Sequence, residues 1–167
     1  MAADGGGGKK ILIAYFSWSG NTREIAGQIQ ERVGGDLFEI KTVNAYPAEY
    51  RACTDVAKKE QNEDARPALS TKVDNMDDYD VVFIGYPNWW GTVPMALFTF
   101  FEQYDFSGRT IIPFCTHEGS GLGRSVGDIK KLCPKSTLLE GLAIRGSGVK
   151  SAQNDVNSWL KNIGMAN

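Results

Sequence analysis

Residues 10–34 constrain the fold most strongly, because they combine a buried strand, a polar turn and a helix. The short apolar run 11–16 is typical of a strand that is buried on both faces. Apolar side chains then recur every four residues from Ile25 to Val33, which predicts a helix that ends at the following glycine pair. A strand that leads through a short turn into a helix indicates an α/β fold.

The turn 17–22 contains hydroxyl and amide side chains but no charged one. Backbone N–H groups at a helix start attract anions, and a glycine lets the backbone approach a ligand closely. An ordinary strand–helix turn needs a single capping hydroxyl, whereas this turn has three. The turn therefore predicts a phosphate site formed by Ser17, Trp18, Ser19, Gly20, Asn21 and Thr22.

Spacing excludes two common phosphate motifs. A mononucleotide P-loop needs Gly-x-x-x-x-Gly-Lys-Ser/Thr after a strand, but the only Gly-Lys pair, Gly8-Lys9, precedes the first strand. The dinucleotide pattern Gly-x-Gly-x-x-Gly is absent from the sequence. Since the turn contains no lysine, it favours a terminal phosphomonoester over the end of a triphosphate.

Strand and helix patterns alternate five times along the chain. This alternation predicts one parallel sheet with helices on both faces and right-handed crossovers. A polar helix is expected over 48–65, and the last strand is interrupted by Glu140-Gly141. The strand patterns lie at 11–16, 36–40, 81–86, 108–116 and 137–144.

Length and composition indicate one globular domain at 9–167, preceded by a glycine-rich flexible leader at 1–8. A net charge of −2 without a basic cluster argues against nucleic-acid binding. Three cysteines without Cys-x-x-Cys spacing and a single histidine indicate neither a disulfide framework nor a metal site. No apolar run is long enough to span a membrane. We expect a cytoplasmic monomer, or an extracytoplasmic protein if a signal sequence has been removed.

Two more loops after buried strands have unusual compositions. The first contains adjacent tryptophans, one of which can fold under the loop while the other stacks on a flat aromatic ligand. The second has three glycines within five residues, which bring N–H groups close to a planar ligand. The candidate ligand residues are Pro87, Asn88, Trp89, Trp90 and Gly91 in the first loop, and Thr116, His117, Glu118, Gly119, Ser120 and Gly121 in the second.

Cys115, at the end of the fourth strand, raises the possibility of a phosphatase. That chemistry needs an arginine six residues after the nucleophile, where this chain has Gly121, and the first arginine is Arg124. Cys115 therefore fits better as a small core residue. His117 is expected to be solvated more often than catalytic, although histidine does favour functional sites.

The pattern Ser17-x-Ser19-Gly20-x-Thr22 after a first strand resembles the phosphate loop of flavodoxins, and Trp90-Gly91 resembles their Trp-Gly pair. The resemblance extends from Lys9 to about Ile163. It implies FMN as the cofactor, with its phosphate in the turn and its isoalloxazine ring against Trp90 and the third loop. It also implies a doubly wound, five-stranded parallel sheet of order 2-1-3-4-5, whose ligand lies where the loops after strands 1, 3 and 4 meet.

The resemblance implies a short-chain flavodoxin that passes single electrons between a reductase and an acceptor protein, with no catalytic side chain. Carrier flavodoxins are usually acidic around the flavin, whereas these three loops contain only one acid, Glu118. The alternative is an FMN-dependent oxidoreductase that takes hydride from NAD(P)H and reduces a quinone or a similar small acceptor. A third possibility, a non-redox signalling domain, lacks the acidic pair that a phospho-accepting receiver needs at its first strand.

Overall fold

A computed structural model of the protein describes residues 9–166, so the expected leader at 1–8 lies outside the described residues. Strands and α-helices alternate through this part of the chain, with two short 3-10 helices at Met76–Asp78 and Gly146–Ser151. The strands are β1 (Ile11–Tyr15), β2 (Asp36–Glu39), β3 (Val81–Pro87), β4 (Thr110–His117), β5 (Thr137–Leu138) and β6 (Leu142–Arg145). The helices are α1 (Asn21–Val33), α2 (Tyr50–Asn62), α3 (Met95–Gln103), α4 (Ser125–Leu132) and α5 (Gln153–Asn162).

The strands form one parallel sheet in the order β2-β1-β3-β4-β5, which confirms the predicted topology. The predicted fifth strand forms two segments, β5 and β6, and both pair with β4. The break faces Pro113 of β4, which has no N–H to donate to a neighbouring strand. Gly141 lies so close to it that a Cβ there would be 3.1 Å from the Pro113 ring. The sheet therefore has six strand segments, and β5 and β6 occupy the same position beside β4.

The two faces of the sheet are covered by different helices. In β1, Leu12 and Ala14 join the hydrophobic cluster that α3 and α4 cover, whereas Ile11 and Ile13 join the cluster under α1 and α5. Alternate residues of a strand point to opposite faces, so a strand buried on both faces is apolar throughout. The sheet is doubly wound, and its carboxyl edge is the end at which the three unusual loops emerge.

None of the helices within residues 9–166 combines the length and the apolar character that crossing a membrane requires.

Candidate functional site

A cavity of about 500 Å³ opens at the carboxyl ends of β1, β3 and β4. The loops after these three strands line it together with one face of α2. The topology explains the convergence, since the carboxyl ends of parallel strands share one edge of the sheet. Thirteen of the seventeen candidate residues line the cavity: Trp18, Ser19, Asn21, Thr22, Pro87, Asn88, Trp89, Trp90, Gly91, Thr116, His117, Glu118 and Ser120.

The other four candidates, Ser17, Gly20, Gly119 and Gly121, are not among the lining residues. The Ser17 hydroxyl accepts hydrogen bonds from the N–H groups of Gly20 at 3.1 Å and of Arg23 at 3.3 Å, so it stabilises the turn itself. The Gly121 carbonyl accepts from the Asn88 side chain at 2.8 Å and so joins the second loop to the third. These residues shape the loops, and their contact with a ligand stays a prediction.

One end of the cavity is polar and lies at the start of α1. The N–H groups of Asn21 and Thr22 belong to the first helical turn, where no intrahelical partner exists, and no hydrogen bond of the described residues uses them. The buried Thr22 hydroxyl lies 2.8 Å from that of Thr116, which ties the first loop to the third. Free N–H donors and the positive end of the helix dipole favour an anion at this end, which we call the anion end, and no lysine or arginine is among the lining residues.

Glu118 contributes the one acidic side chain in the cavity lining. Its carboxylate approaches Gly146, where a Cβ would lie 2.7 Å from Glu118 Oε2 and 2.6 Å from Asn21 Nδ2. The carboxylate therefore lies near the anion end of the cavity. An anion bound at Asn21 would experience repulsion from Glu118.

The opposite end of the cavity is aromatic, and its two adjacent tryptophans have different surroundings. Trp89 folds under its loop and packs edge-on against Phe16 and Tyr46, with ring centroids 5.4 and 5.0 Å away. Trp90 remains 48% exposed at the mouth of the cavity. The exposed Tyr50 ring also lines the cavity and is in edge contact with Trp18. Lys58 Nζ lies over the Trp90 ring, 5.0 Å from its centre, and the exposed part of the indole suits a flat aromatic ligand.

The backbone at Trp90 and Gly91 turns sharply. Trp90 has a φ of 54° and Gly91 a φ of 90°, a region that side chains with a Cβ disfavour. The Gly91 N–H donates to the Asn88 side chain at 2.9 Å, and its carbonyl accepts from the Arg124 N–H at 2.8 Å. Glycine is needed here because a Cβ would also lie 3.3 Å from Arg124 Nη1. The turn holds the Trp90 ring at the cavity mouth.

The sequence analysis missed the contribution of α2 to the site. Its lining residues, Tyr50, Cys53, Thr54 and Ala57, follow an i, i+3, i+4, i+7 pattern and therefore share one helix face. The apolar members of this set were visible as a weak repeat in a polar helix. That repeat does not show which part of the molecule the face covers.

Burial keeps the thiols near the site protonated at neutral pH. It raises the pKa of Cys53 to about 11 and that of Cys115 to about 12, so neither is an activated nucleophile. The pKa of His117 is lowered by burial and by the nearby Arg145, and its Nδ1 accepts a hydrogen bond from the Gly119 N–H at 2.9 Å. A neutral His117 supports the loop through this acceptor.

The family model described as Flavodoxin matches residues 10–163. The chain belongs to the flavodoxin family. Among solved structures, a Bacteroides eggerthii protein described as a flavoprotein is 35% identical, with a TM-score of 0.82 over 92% of this chain and 97% of that chain. No match was found among the curated proteins.

Two further structures relate this flavodoxin-family chain to characterised folds. A flavoprotein from Lactobacillus acidophilus, solved in complex with FMN, is 25% identical, with a TM-score of 0.69 over 86% of this chain and 97% of that chain. Flavodoxin from Megasphaera elsdenii is 18% identical, with a TM-score of 0.55 over 80% of this chain and 85% of that chain. The second likeness shows the fold alone.

Proposed function

We propose that the protein binds FMN and carries single electrons between a reductase and an acceptor protein. The observation that carries this proposal is one cavity with two chemically different ends, the N–H groups at the start of α1 and an exposed tryptophan. FMN has the same division, with a phosphate tail and a planar ring. Membership of the flavodoxin family and the FMN complex of the Lactobacillus acidophilus flavoprotein support FMN as the cofactor.

The residues at the polar end fit a phosphomonoester. The unused N–H groups of Asn21 and Thr22 donate to phosphate oxygens, and the hydroxyls of Ser19 and Thr22 face the same cavity. Hydrogen bonds to a charged group contribute about 1.5–3 kcal/mol each. The phosphate therefore anchors the cofactor and fixes which end of the ring reaches the mouth.

The residues at the aromatic end orient the ring and exclude water from one of its faces. Trp90 supplies a stacking surface. Cys53, whose thiol stays protonated, and Ala57 supply an uncharged wall. Bound FMN supplies the redox chemistry, so no side chain needs to act as acid, base or nucleophile. An apolar wall disfavours added negative charge on the ring, which makes the cofactor a stronger reductant.

The exposed aromatic rings at the cavity mouth favour a second candidate function. Tyr50 is 66% exposed and Trp90 is 48% exposed, so a second small aromatic molecule could reach the ring. This arrangement fits an FMN-dependent oxidoreductase that takes hydride from NAD(P)H and reduces a quinone or a similar acceptor. The carrier is preferred because the family model that matches the chain is that of flavodoxins.

Anaerobic stopped-flow mixing of the FMN-loaded protein with NADPH separates the two candidates. A carrier is expected to stay oxidised with NADPH alone and to be reduced rapidly once a flavodoxin reductase is added. Rapid reduction by NADPH alone would favour the oxidoreductase. A purified protein that binds no added FMN would contradict both. The proposal includes a monomer in the cytoplasm, which size-exclusion chromatography and cell fractionation test.

A further inference from the structure

The second loop contains a tight turn that its own sequence disfavours. Trp89 and Thr92 pair through their backbones, with N–H to carbonyl distances of 2.9 and 3.3 Å, so Trp90 and Gly91 are the two central residues. Both have a positive φ, 54° and 90°, as in a type I′ turn. The first central position of such a turn favours asparagine, aspartate or glycine. A tryptophan there keeps this conformation only where its surroundings hold it.

The peptide bond between Trp90 and Gly91 is held by side chains from two different elements. On one side, the Trp90 carbonyl accepts a hydrogen bond from the Gln61 side chain of α2 at 3.3 Å. On the other side, the Gly91 N–H donates to Asn88 Oδ1 at 2.9 Å. The Asn88 contact is the shorter of the two, and Asn88 is the less exposed side chain in this pair of contacts.

The Asn88 side chain also joins this turn to the third loop. Its Nδ2 donates to the Gly121 carbonyl at 2.8 Å. The backbone N–H of Asn88 donates to the Thr116 carbonyl at 2.8 Å, directly after the paired residues of β3 and β4. Asn88 is therefore fixed to the end of the sheet and holds one residue of each loop.

The backbones of the two loops approach each other closely beside Asn88. Gly123 has a φ of 56°, and a Cβ there would lie 2.3 Å from the Gly91 carbonyl oxygen and 3.1 Å from Asn88 Nδ2. The Gly91 carbonyl also accepts from the Arg124 N–H at 2.8 Å. The glycine at 123 leaves the space in which the Asn88 amide reaches both loops.

The two partners of the Asn88 side chain have opposite requirements. A backbone N–H can only donate and a carbonyl can only accept, so the group between Gly91 and Gly121 must accept on one side and donate on the other. An amide does both. An ionised carboxylate only accepts, and the alanine side chain does neither.

We propose that Asn88 is a positioning residue for the flavin ring. By holding the Gly91 N–H and the Gly121 carbonyl, it keeps the Trp90 indole at the cavity mouth and sets the distance between the second and third loops. This inference rests on the proposed function, since it needs a flavin in the cavity. Riboflavin has the same ring as FMN but no phosphate, so binding of both flavins depends on Asn88.

Hydrogen exchange followed by NMR tests the hold on Gly91 in the ligand-free protein. In the wild type, the Gly91 amide is expected to exchange at least about tenfold more slowly than an unprotected glycine amide. Asn88→Ala should lose most of this protection, whereas Asn88→Asp keeps the acceptor and should retain it. Amides of 153–162 in α5 report any change in global stability and should exchange alike in all three proteins.

Two results of this experiment would overturn the proposal. One is an unprotected Gly91 amide in the wild type, a result that needs no variant to fold. The other is equal protection of Gly91 in Asn88→Ala and in the wild type.

Fluorescence titrations with FMN and riboflavin test the consequence for binding. Asn88→Ala is expected to weaken both flavins alike by about tenfold, as the loss of buried hydrogen bonds does. Asn88→Asp should also bind both more weakly than the wild type, because the bond to Gly121 is lost. The matched control is Asn44→Ala, a change at an exposed loop residue outside the cavity lining, which should stay within about twofold of the wild type.

The titrations separate this inference from the proposed function. If the wild type binds neither flavin, the proposed function fails and the role of Asn88 fails with it. If the wild type binds both and Asn88→Ala binds them equally well, only the role of Asn88 fails. A loss of FMN affinity without a loss of riboflavin affinity would also overturn it, because Asn88 would then act on the phosphate.

Discussion

The helices α1 and α2 both contribute to the same cavity, but their packing differs. The first buries six residues, including Ile25 and Ile29 in the cluster on one face of the sheet. The second buries only Cys53 and Ala57, and both face the cavity. The comparison indicates that α1, which begins at the polar end of the cavity, is fixed by the core of the sheet, whereas α2, which lines the other end, has a much smaller buried face.

This difference gives each end of the site its own experimental signature. A change at the anion end affects FMN but not riboflavin, because only FMN has the phosphate. A change at the aromatic end affects both flavins, because they share the ring. A change in the core under α1 lowers the stability of the ligand-free protein, whichever flavin is added later.

The largest effect is expected from Ile29→Ala in α1. Ile29 is fully buried, and removing its side chain leaves a cavity that costs about 2–5 kcal/mol of unfolding free energy. In α2, the half-buried Val56 is the matched site, and Val56→Ala is expected to cost less than about 1 kcal/mol. Urea denaturation of the ligand-free proteins measures both. Equal losses at the two sites would contradict the difference between the helices.

The variant Thr22→Ala is expected to weaken FMN binding about 10- to 100-fold, which corresponds to one hydrogen bond to a charged group. It also removes the 2.8 Å hydrogen bond to Thr116. Riboflavin affinity should stay the same, and Thr22→Ser, which keeps the hydroxyl, should bind FMN nearly as the wild type does. Fluorescence titration measures all four affinities. Unchanged FMN affinity in Thr22→Ala would place the phosphate elsewhere.

The variant Trp90→Ala is expected to weaken FMN and riboflavin equally, by about tenfold, through the loss of stacking. Trp90→Phe keeps an aromatic face and should recover most of this loss. Trp89→Ala is the contrasting case, since Trp89 packs on Phe16 and Tyr46 and its loss should lower the stability of the ligand-free protein. A preferential loss of FMN over riboflavin in Trp90→Ala would mean that Trp90 acts at the phosphate end.

The variant Glu118→Gln is expected to bind FMN about two- to fivefold more tightly, because a carboxylate no longer faces the phosphate. This effect is expected because the Glu118 carboxylate lies beside Asn21, since both side chains approach Gly146. Riboflavin affinity should not change, and the gain for FMN should shrink at high salt. Titrations at low and high ionic strength measure this effect. Weaker FMN binding by Glu118→Gln would show that the carboxylate helps to hold the cofactor.

The smallest effect concerns the pH dependence of the contact between α2 and Tyr46. Burial raises the pKa of Glu60. The 2.6 Å hydrogen bond that the carboxylate accepts from Tyr46 lowers this pKa by a smaller amount. The native carboxyl thus keeps its proton at pH values where the unfolded one is ionised. This contribution to stability is full below the ordinary carboxyl pKa and is lost as the pH rises through the raised pKa.

The stability of Glu60→Gln should therefore fall less than that of the wild type when the pH rises from 4 to 7. Thermal unfolding of both proteins across this range measures the difference. Parallel pH profiles of the two proteins would contradict the raised pKa.

The fold could be predicted from the sequence because each strand and helix has its own periodicity. The order of the strands followed from the resemblance to flavodoxins, and the pairing of β1 with both β2 and β3 confirms it. The division of the last strand lies opposite Pro113, a residue of β4. The sequence shows the interruption at Glu140-Gly141, but it does not show that Pro113, on the neighbouring strand, lies opposite it.

The site could be predicted only where a loop directly follows a strand. Residues 40–80 connect β2 to β3, two strands that lie on opposite sides of β1, and a connection of this length leaves the position of α2 open. The spacing of Tyr50, Cys53 and Ala57 defines a helix face but not the surface that the face covers. The contribution of α2 therefore needed the structure.

A crystal structure of the protein with bound FMN tests the central claim most directly. The account predicts phosphate oxygens within hydrogen-bond distance of the N–H groups of Asn21 and Thr22. It also predicts that the ring lies against Trp90 at the other end of the cavity. A phosphate bound away from the start of α1, or a ring that does not contact Trp90, would contradict the account.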